Sequence, residues 1–319
     1  MLLYGGGGPA YSHDLRQAIP LAADIEKIKA PMYALGLGWY GARASRGIIE
    51  GFSFEQKTRE LWRRCAVNKP LSCRDFFSVS ILRHNGFENA IMTGCPAWYD
   101  VKYAESTRLS FNPENKVNKI CISEPSDSAH FDMFVKLASF LRKRYPQAEV
   151  KALFHRGIAQ DKFVNQTRAY VNASTVKELE KIGVESIDIS YGTEGFNYYD
   201  KSDLHVGFRV HAHIYNLSRR KRSLIIEEDS RGTGVNDALG LPGVKAYTET
   251  IPTFNNRVIR KARKILIKDN NPYAIAEVET LLNRYESNGC IEFGTAFERM
   301  TQYYKVMRNY IGEIGKKSQ

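Results

Sequence analysis

The sequence predicts an α/β protein with parallel sheets, built as two Rossmann-like domains, and three observations lead to this class. Short apolar runs alternate with longer helical patterns along most of the chain, as in successive βαβ units. Runs such as Val206–Phe208 and Leu224–Ile226 are continuously apolar, which is typical of parallel strands covered on both faces. With 319 residues, 43% hydrophobic and 25% charged, the chain is long enough for two ordinary globular domains.

The elements follow from this alternation. The predicted strands are Leu2–Tyr4, Met32–Leu35, Leu71–Cys73, Ala90–Met92, Lys119–Ile122, Val150–Phe154, Ser186–Ile189, His205–Phe208 and Ser223–Ile226. Helical patterns lie between them at about Ala10–Ile28, Phe54–Val67, Phe76–Asn85, Ala129–Tyr145, Lys162–Ile182 and Val210–Arg220, and after Pro252 at Phe254–Lys268, Tyr273–Tyr285 and Ala296–Tyr310. A polar stretch, Ser110–Lys116, precedes a new strand and marks a boundary. We therefore assign residues 1–112 and 113–252 to the two domains and 253–319 to a helical tail.

The charge and the cysteines narrow the class of function. A formal net charge of +11 favours an anionic partner. Solvated helix faces explain the basic clusters most simply, and a phosphorylated or acidic saccharide substrate is the functional alternative. No nucleic acid is expected, since no aromatic-basic platform or binding motif is present. The scattered, odd-numbered cysteines, the absence of a signal sequence and the lack of an apolar run of about 20 residues predict a cytoplasmic protein.

The segment Asp203–His211 carries the most specific chemistry. It reads as a buried strand that ends at a glycine and then presents Arg209 and His211. In extended backbone, residues two apart point to the same side, so both side chains can reach one ligand. Arginine offers a planar fork of donors to a carboxylate or phosphate, and histidine exchanges protons near neutral pH. His205, on the strand, is expected to be a core histidine.

Three further segments contribute candidates at strand ends. Arg74 lies at a strand-to-helix junction, where parallel sheets bind their ligands, and the adjacent Asp75 can cap the helix; a surface ion pair between Arg74 and Asp75 is the alternative. Glu228 and Asp229 end a strand and can deprotonate a sugar hydroxyl, while Arg231 can bind a phosphate; helix capping by Asp229 or Ser230 is the alternative.

The glycine run Gly5-Gly6-Gly7-Gly8 follows an apolar strand and lets backbone amides approach a ligand. Gly36–Gly41 fits G-x-G-x-x-G but opens into a loop, so no dinucleotide cofactor is expected. His205, His211 and His213 lack an accompanying carboxylate or cysteine at a familiar spacing, so no metal is expected.

Taken in order, these segments resemble the polysaccharide pyruvyl transferase family. The motifs that carry the resemblance are Gly5–Gly8, Gly36–Gly38, the S-x-R-D-x-x-S segment Ser72–Ser78, the G-x-P-A segment Gly94–Ala97, the G-x-R-x-H segment Gly207–His211 and the L-G-L-P turn Leu239–Pro242. Their order and rough spacing agree from Gly5 to Pro242. Members normally carry a βα unit with an N-x-G-D loop before the G-G-G strand, so we expect the N-terminal sheet to lack one strand.

The resemblance implies a fold like the GT-B glycosyltransferases, with the active site between the domains. It implies transfer of a pyruvyl group from phosphoenolpyruvate to a saccharide, usually as a cyclic ketal. Arg74, Arg209 and His211 match the family's donor-binding and catalytic residues by position. Phosphoenolpyruvate is then a substrate, and no separate cofactor is expected. The acceptor is a saccharide or a lipid-linked oligosaccharide, and the latter implies peripheral association with a membrane.

Two other functions stay open on the sequence. A nucleotide-sugar glycosyltransferase would share the architecture. A non-catalytic basic protein that binds anionic glycan or nucleic acid would use the +11 charge instead.

Overall fold

The computed structural model describes residues 2–7, 25–41, 46–248 and 270–317. Within these residues two parallel sheets form, each with helices packed against it. The predicted helix Phe254–Lys268 and Gly8 lie outside the described residues, as does the predicted helix Ala10–Ile28 up to residue 24. At the described end of the latter, Ile25–Lys27 form a short 3-10 helix.

The first sheet has the strand order β1-β2-β3-β4. Its strands are β1 (Leu2–Gly7), β2 (Met32–Gly38), β3 (Ser72–Cys73) and β4 (Ile91–Met92). Its helices are α1 (Arg46–Glu50), α2 (Gln56–Asn68) and α3 (Phe76–His84). Leu37, Leu61, Trp62 and Leu82 are fully buried in the core on this sheet.

The second sheet has the order β10-β9-β8-β5-β6-β7. Its strands are β5 (Lys119–Ser123), β6 (Glu149–Phe154), β7 (Glu185–Asp188), β8 (Leu204–Gly207), β9 (Arg222–Glu227) and β10 (Val244–Lys245). Its helices are α4 (Phe131–Arg144), α5 (Gln166–Lys181), α6 (Asn197–Lys201), α7 (Val210–Ser218) and α8 (Ser230–Leu239). Counted from β5 this is the 3-2-1-4-5-6 order of a dinucleotide-binding α/β domain.

Two helices complete the described chain: α9 (Ala274–Ser287) and α10 (Ile291–Lys317). Helix α9 packs against α4 of the second domain. Helix α10 contacts α8 and also returns to the first sheet, where Tyr310 and Ile314 are buried with Tyr33. The Tyr310 hydroxyl lies 2.9 Å from the carbonyl oxygens of both Ala34 and Pro70, so it donates to one of them at a time.

The fold class predicted from the sequence is confirmed. Two Rossmann-like α/β units with parallel sheets and a helical C-terminal tail form a GT-B-like arrangement. All nine predicted strands are present, and the tail prediction is confirmed for α9 and α10. Sequence reasoning missed β10, α1 and α6, and it left the start of α8 at Asp229 as an alternative without giving the helix a range. The exact domain limits at residues 112 and 252 stay predictions.

The carboxyl ends of the two sheets face each other. After β2, the Gly41 amide donates to the Ser230 hydroxyl at 2.8 Å, and the Ser230 amide donates to the Gly41 carbonyl at 3.0 Å. Helix α3 packs against α8, and Gly234 lies there because a β-carbon would crowd Asp75. The loops that follow β2, β3, β5, β8 and β9 therefore border one cleft.

Candidate active site

The strand order of the second sheet creates a crevice at its centre. The chain leaves β5 toward β6 on one side and leaves β8 toward β9 on the other, although β5 and β8 are neighbours. Loops that diverge in this way leave a gap at the carboxyl ends of the two strands, where α/β proteins bind their ligands. Ser123–Ser126 and Phe208–Arg209 line this gap.

Arg209 is fixed and buried at the end of β8. It precedes α7 with extended backbone, and its amide donates to the Ser123 hydroxyl at 3.1 Å. Its guanidinium pairs with Glu124 and donates to the Ser126 hydroxyl at 2.7 Å. Its Nε donor has no hydrogen-bond partner among the described residues. Arg209 is therefore a fixed and largely enclosed cation beside the crevice.

Arg209 and His211 do not share an extended strand, so that part of the prediction was wrong. Strand β8 ends at Gly207, and Val210 begins α7, which places His211 in the first helical turn. The apolar run through Phe208 looked like a continuing strand. The two side chains are nevertheless close enough for the Arg209 charge to lower the pKa of His211.

His211 lies where guanidinium groups from both domains come close to one side chain. Its side chain is exposed, yet surrounding protein lowers the pKa of the imidazole, and four guanidinium groups lower it further: Arg231, Arg209, Arg74 and Arg156. Arg74 comes from the first domain and the other three from the second. Both domains thus supply cations around one histidine, an arrangement suited to a ligand with more than one negative charge.

Arg74 reaches the cleft because Gly38 leaves room for it. A β-carbon on Gly38 would overlap the Arg74 guanidinium. Arg74 donates to the Asp75 carboxylate at 3.0 Å and to the Trp39 carbonyl at 3.3 Å. Asp75 in turn caps α3 by accepting the Ser78 amide at 2.7 Å. The predicted cap is confirmed, and the Arg74–Asp75 pair is buried instead of lying on the surface.

Asp229 and Arg231 form a unit at the start of α8. The Asp229 carboxylate caps the helix by accepting the Arg231 amide at 2.9 Å, and it pairs with the Arg231 guanidinium at 2.6 Å. The guanidinium also lies 4.7 Å from the ring centroid of Tyr40 in the first domain. Asp229 is thereby occupied by capping and pairing, as the alternative interpretation of this segment held.

Glu228 is the carboxyl group best suited to exchange protons. It accepts the amides of Ser126 and Asp127 at 2.7 and 2.9 Å. Burial raises its pKa to about 7, although these hydrogen bonds and the charge of Arg209 oppose the shift. At neutral pH the group therefore holds and releases a proton with similar ease.

The glycine run does not form the loop expected of it. Gly5, Gly6 and Gly7 belong to β1, which pairs with β2 so that Gly7 lies opposite Gly38. Strand β1 is separated by β2 from β3, the strand that leads into Arg74. The part of the run that the structure describes therefore extends the sheet, and Gly8 lies outside that part.

Sequence reasoning missed four residues of the site: Glu124, Ser126, Arg156 and Arg168. Glu124 accepts the amides of His155 and Arg156 at 3.0 and 3.2 Å besides pairing with Arg209. Arg168 donates to the Pro125 and Ser126 carbonyls, at 2.6 and 3.1 Å. Glu124-Pro125-Ser126 directly follows an apolar strand, so alignment of strand ends could have found it. Arg156 and Arg168 carry no such local signal.

His205 and His213 are core histidines. His205 lies between the hydroxyls of Ser123 and Ser223, at 2.9 and 2.7 Å, and His213 contacts Ser223 and Asn236 at 2.8 and 3.1 Å. The core role predicted for His205 is confirmed. Across the described ranges, histidine, cysteine and carboxylate side chains form no group of three or more that could hold a metal ion.

The fold and the site define a two-domain α/β protein with a cleft to which both domains contribute arginines. The chain belongs to the polysaccharide pyruvyl transferase family, because the profile of that family matches residues 1–230. The family inferred from the sequence motifs is therefore confirmed. No curated protein is a significant match to the chain.

Solved structures show distant likeness. The UDP-GlcNAc 2-epimerase from Neisseria meningitidis, bound to UDP-GlcNAc, is 13% identical with a TM-score of 0.49, over 91% of this chain and 71% of that one. OtsA in its apo form is 9% identical with a TM-score of 0.48, over 96% and 70%. A glycosyltransferase from Rickettsia africae is 12% identical with a TM-score of 0.43, over 87% and 68%.

None of the helices in the described part of the chain has the length and apolar character needed to cross a bilayer. All five cysteines are buried and free.

Proposed function

We propose that this protein transfers the pyruvyl group of phosphoenolpyruvate onto two hydroxyls of a saccharide, forming a cyclic ketal. Family membership supports a pyruvyl transferase. The observation that carries the choice of donor is the set of four guanidinium groups around the exposed His211. Phosphoenolpyruvate presents a carboxylate and a phosphate on one small carbon frame, and arginine forks suit both groups.

In this proposal different arginines bind the two anionic groups of the donor. The guanidinium groups of Arg209 and Arg231 act on His211 from the second domain, and that of Arg74 acts on it from the first. Holding the donor by both anionic ends would place its methylene carbon beside the imidazole.

The chemistry then follows in balanced steps. His211 gives a proton to the methylene carbon, which leaves a cationic C2. A sugar hydroxyl attacks C2 and loses its proton to Glu228. Phosphate departs with the C–O bonding electrons and takes the proton that Glu228 had accepted. A second hydroxyl then attacks the renewed cation and returns a proton to His211. The products are the ketal and inorganic phosphate. Glu228 suits the role of base better than Asp229, because the pKa of Glu228 is raised to about 7 and Asp229 is held by Arg231.

The acceptor in this proposal is a saccharide or a lipid-linked oligosaccharide, and the second would bring the protein to a membrane surface. The proposed compartment is the cytoplasm, where free thiols persist.

A thermal-shift titration tests the donor assignment. Phosphoenolpyruvate is compared with pyruvate, phosphate and UDP-glucose, since a ligand at about 100 times its Kd adds about 2.7 kcal/mol of stability. We expect stabilisation by phosphoenolpyruvate that is lost in Arg231→Gln and kept in Arg308→Gln, whose guanidinium lies on exposed α10. His211→Asn should keep donor binding and abolish phosphate release.

Other results would replace the proposal. A response to UDP-glucose in place of phosphoenolpyruvate would favour a nucleotide-sugar glycosyltransferase. Salt-sensitive binding of anionic polymers that ignores both Arg231→Gln and Arg74→Gln would favour a non-catalytic basic protein.

A further inference from the structure

Two exposed aromatic rings stand side by side at the carboxyl edge of the second sheet. Phe163 lies in the loop between β6 and α5, and Tyr191 follows β7; their ring centroids are 5.5 Å apart. They are 66% and 65% exposed, respectively. Large rings are usually covered by protein, and exposed neighbouring ones mark a binding surface.

The two rings are held in place by a small polar network. Asp161 accepts the amides of Phe163 and Val164 at 2.7 and 2.8 Å, and its second oxygen accepts the Tyr191 hydroxyl. Asp188 at the end of β7 accepts the Ile158 amide at 2.8 Å, which ties the two loops together. The rings are therefore preset before any ligand arrives, which lowers the entropic cost of binding.

Tyr191 adopts an unusual backbone conformation to take this position. Its φ is +64°, in the left-handed region that bulky side chains rarely occupy. Such conformations persist where surrounding contacts enforce them, and they concentrate at ligand sites.

The ring pair is connected to the cleft through the loop that follows β6. Arg156, whose charge lowers the pKa of His211, lies in the same loop as Phe163, and its amide donates to Glu124. Strand β7 is two strands from β5, so the pair lies about 10 Å from the crevice along the sheet edge. A ligand with one end at His211 and the other on the rings would pass Arg156.

We propose that Phe163 and Tyr191 form a subsite for a sugar unit of the acceptor, remote from the unit that receives the pyruvyl group. This rests on the proposed function. A pyranose has a flat C–H face that packs on aromatic rings and hydroxyls that need polar partners at the rim. Asp161 and Ser190 keep acceptor capacity beyond the hydrogen bonds that they already make, and Lys162, with its Nζ 4.9 Å from the Phe163 centroid, supplies a cation. The site therefore takes an oligosaccharide, and Arg156 favours an acidic one.

Saturation-transfer NMR with the full chain tests this subsite. The probes are a galacturonic acid hexamer, cellohexaose and galacturonic acid itself. We expect saturation transfer from the protein to both hexamers, stronger for the acidic hexamer, and no transfer to the monosaccharide. Phe163→Ala and Tyr191→Gly should each weaken binding of the acidic hexamer about tenfold. Glycine is chosen at residue 191 because it keeps the backbone conformation. Tyr273→Ala, at a ring 69% exposed near the opposite sheet edge, should not change binding.

The outcomes separate this inference from the proposed function. Phosphoenolpyruvate stabilisation retained in Phe163→Ala, together with weakened hexamer binding, supports the subsite. Equal hexamer affinity in wild type and both ring variants, or no hexamer binding to a wild-type chain that binds phosphoenolpyruvate, overturns the subsite alone. If phosphoenolpyruvate does not stabilise the wild-type chain, the donor assignment is overturned instead. Binding to phosphatidylcholine–phosphatidylglycerol vesicles that both ring variants lose would overturn the saccharide assignment in favour of a lipid surface.

Discussion

At the scale of single residues, the proposed role of His211 conflicts with its lowered pKa. His211 is the proposed acid, yet burial and, after it, four arginines lower its pKa and favour the neutral imidazole when the cleft holds no anion. A bound phosphoenolpyruvate would neutralise those charges and raise the pKa again. Donor binding would then also charge the acid that the reaction needs.

Proton uptake measures this directly. At pH 7.5 we expect phosphoenolpyruvate binding to take up part of a proton, up to about one, seen as calorimetric enthalpies that differ between Tris and HEPES. The His211→Asn variant should bind with smaller uptake. Equal uptake by the variant and wild type would show that the proton goes elsewhere.

Glu228 gives a second pH dependence, because burial raises its pKa whereas the pKa of His211 is lowered. Its pKa is raised to about 7, so the folded state favours its protonated form. The stability it contributes is fully present below its ordinary pKa of 4.5 and is lost as the pH rises through about 7. We expect the unfolding free energy of wild type, relative to Glu228→Gln, to fall between pH 5 and pH 8, by about 1.4 kcal/mol for each pKa unit. Urea titrations measure it.

The control for this series is Glu279→Gln, at an exposed carboxyl of α9. Parallel pH profiles for wild type and Glu228→Gln would contradict a raised pKa at Glu228.

At the scale of elements, a position directly after a predicted strand indicated the site better than the local sequence motif did. Arg74, Arg209 and Glu228 each follow an apolar strand, and parallel strands bring such positions to one edge. Gly36 and Gly38 looked like a nucleotide loop, yet a β-carbon on Gly36 would overlap Pro96 and one on Gly38 would overlap Arg74. Long-range contacts of this kind, and charges such as Arg156 that lie near the site only in space, leave no local pattern to read.

Gly38 therefore offers a test of one element contact. In Gly38→Ala the added methyl group should displace Arg74 and weaken phosphoenolpyruvate binding at least tenfold, since hydrogen bonds to charged groups contribute about 1.5–3 kcal/mol. Gly47→Ala is the control, because a β-carbon there has open space. Unchanged affinity in Gly38→Ala would remove Arg74 from the donor site.

Helix α10 makes a second element-scale prediction. Tyr310→Phe removes the donor to Ala34 and Pro70, and we expect the free energy of unfolding to fall by about 1–2 kcal/mol. Tyr304→Phe, whose ring lies partly exposed against Tyr99, should change stability little. Hydrogen exchange of α10 amides reports the loosening, and equal protection in both variants would argue against this anchor.

At the scale of the whole molecule, the two sheets are joined by more than a linker. The Gly41–Ser230 hydrogen bonds, the contact between α3 and α8, and the return of α10 all cross between them. The overall class was readable from the sequence because alternation is a local property. This joining was not, because it depends on which surfaces meet.

We therefore expect the two domains to unfold together. Trp39 and Trp62 lie in the first core, so tryptophan fluorescence is weighted toward the first domain, whereas far-ultraviolet circular dichroism follows all helices. The two thermal transitions should coincide. Separate midpoints would show independent domains.

The position of the arginines also ties ligand affinity to domain cohesion. Arg74 stands on one domain and Arg231 on the other, with the proposed donor between them. An anion that touches both acts as a non-covalent crosslink, and linkage makes the coupling reciprocal. A change that weakens the contacts between the domains, even one at Tyr310, must therefore weaken anion binding. The loss of binding free energy equals the stabilisation that the bound anion gives to those contacts. Affinity measured in the cleft would thus report on a contact made at the far end of α10.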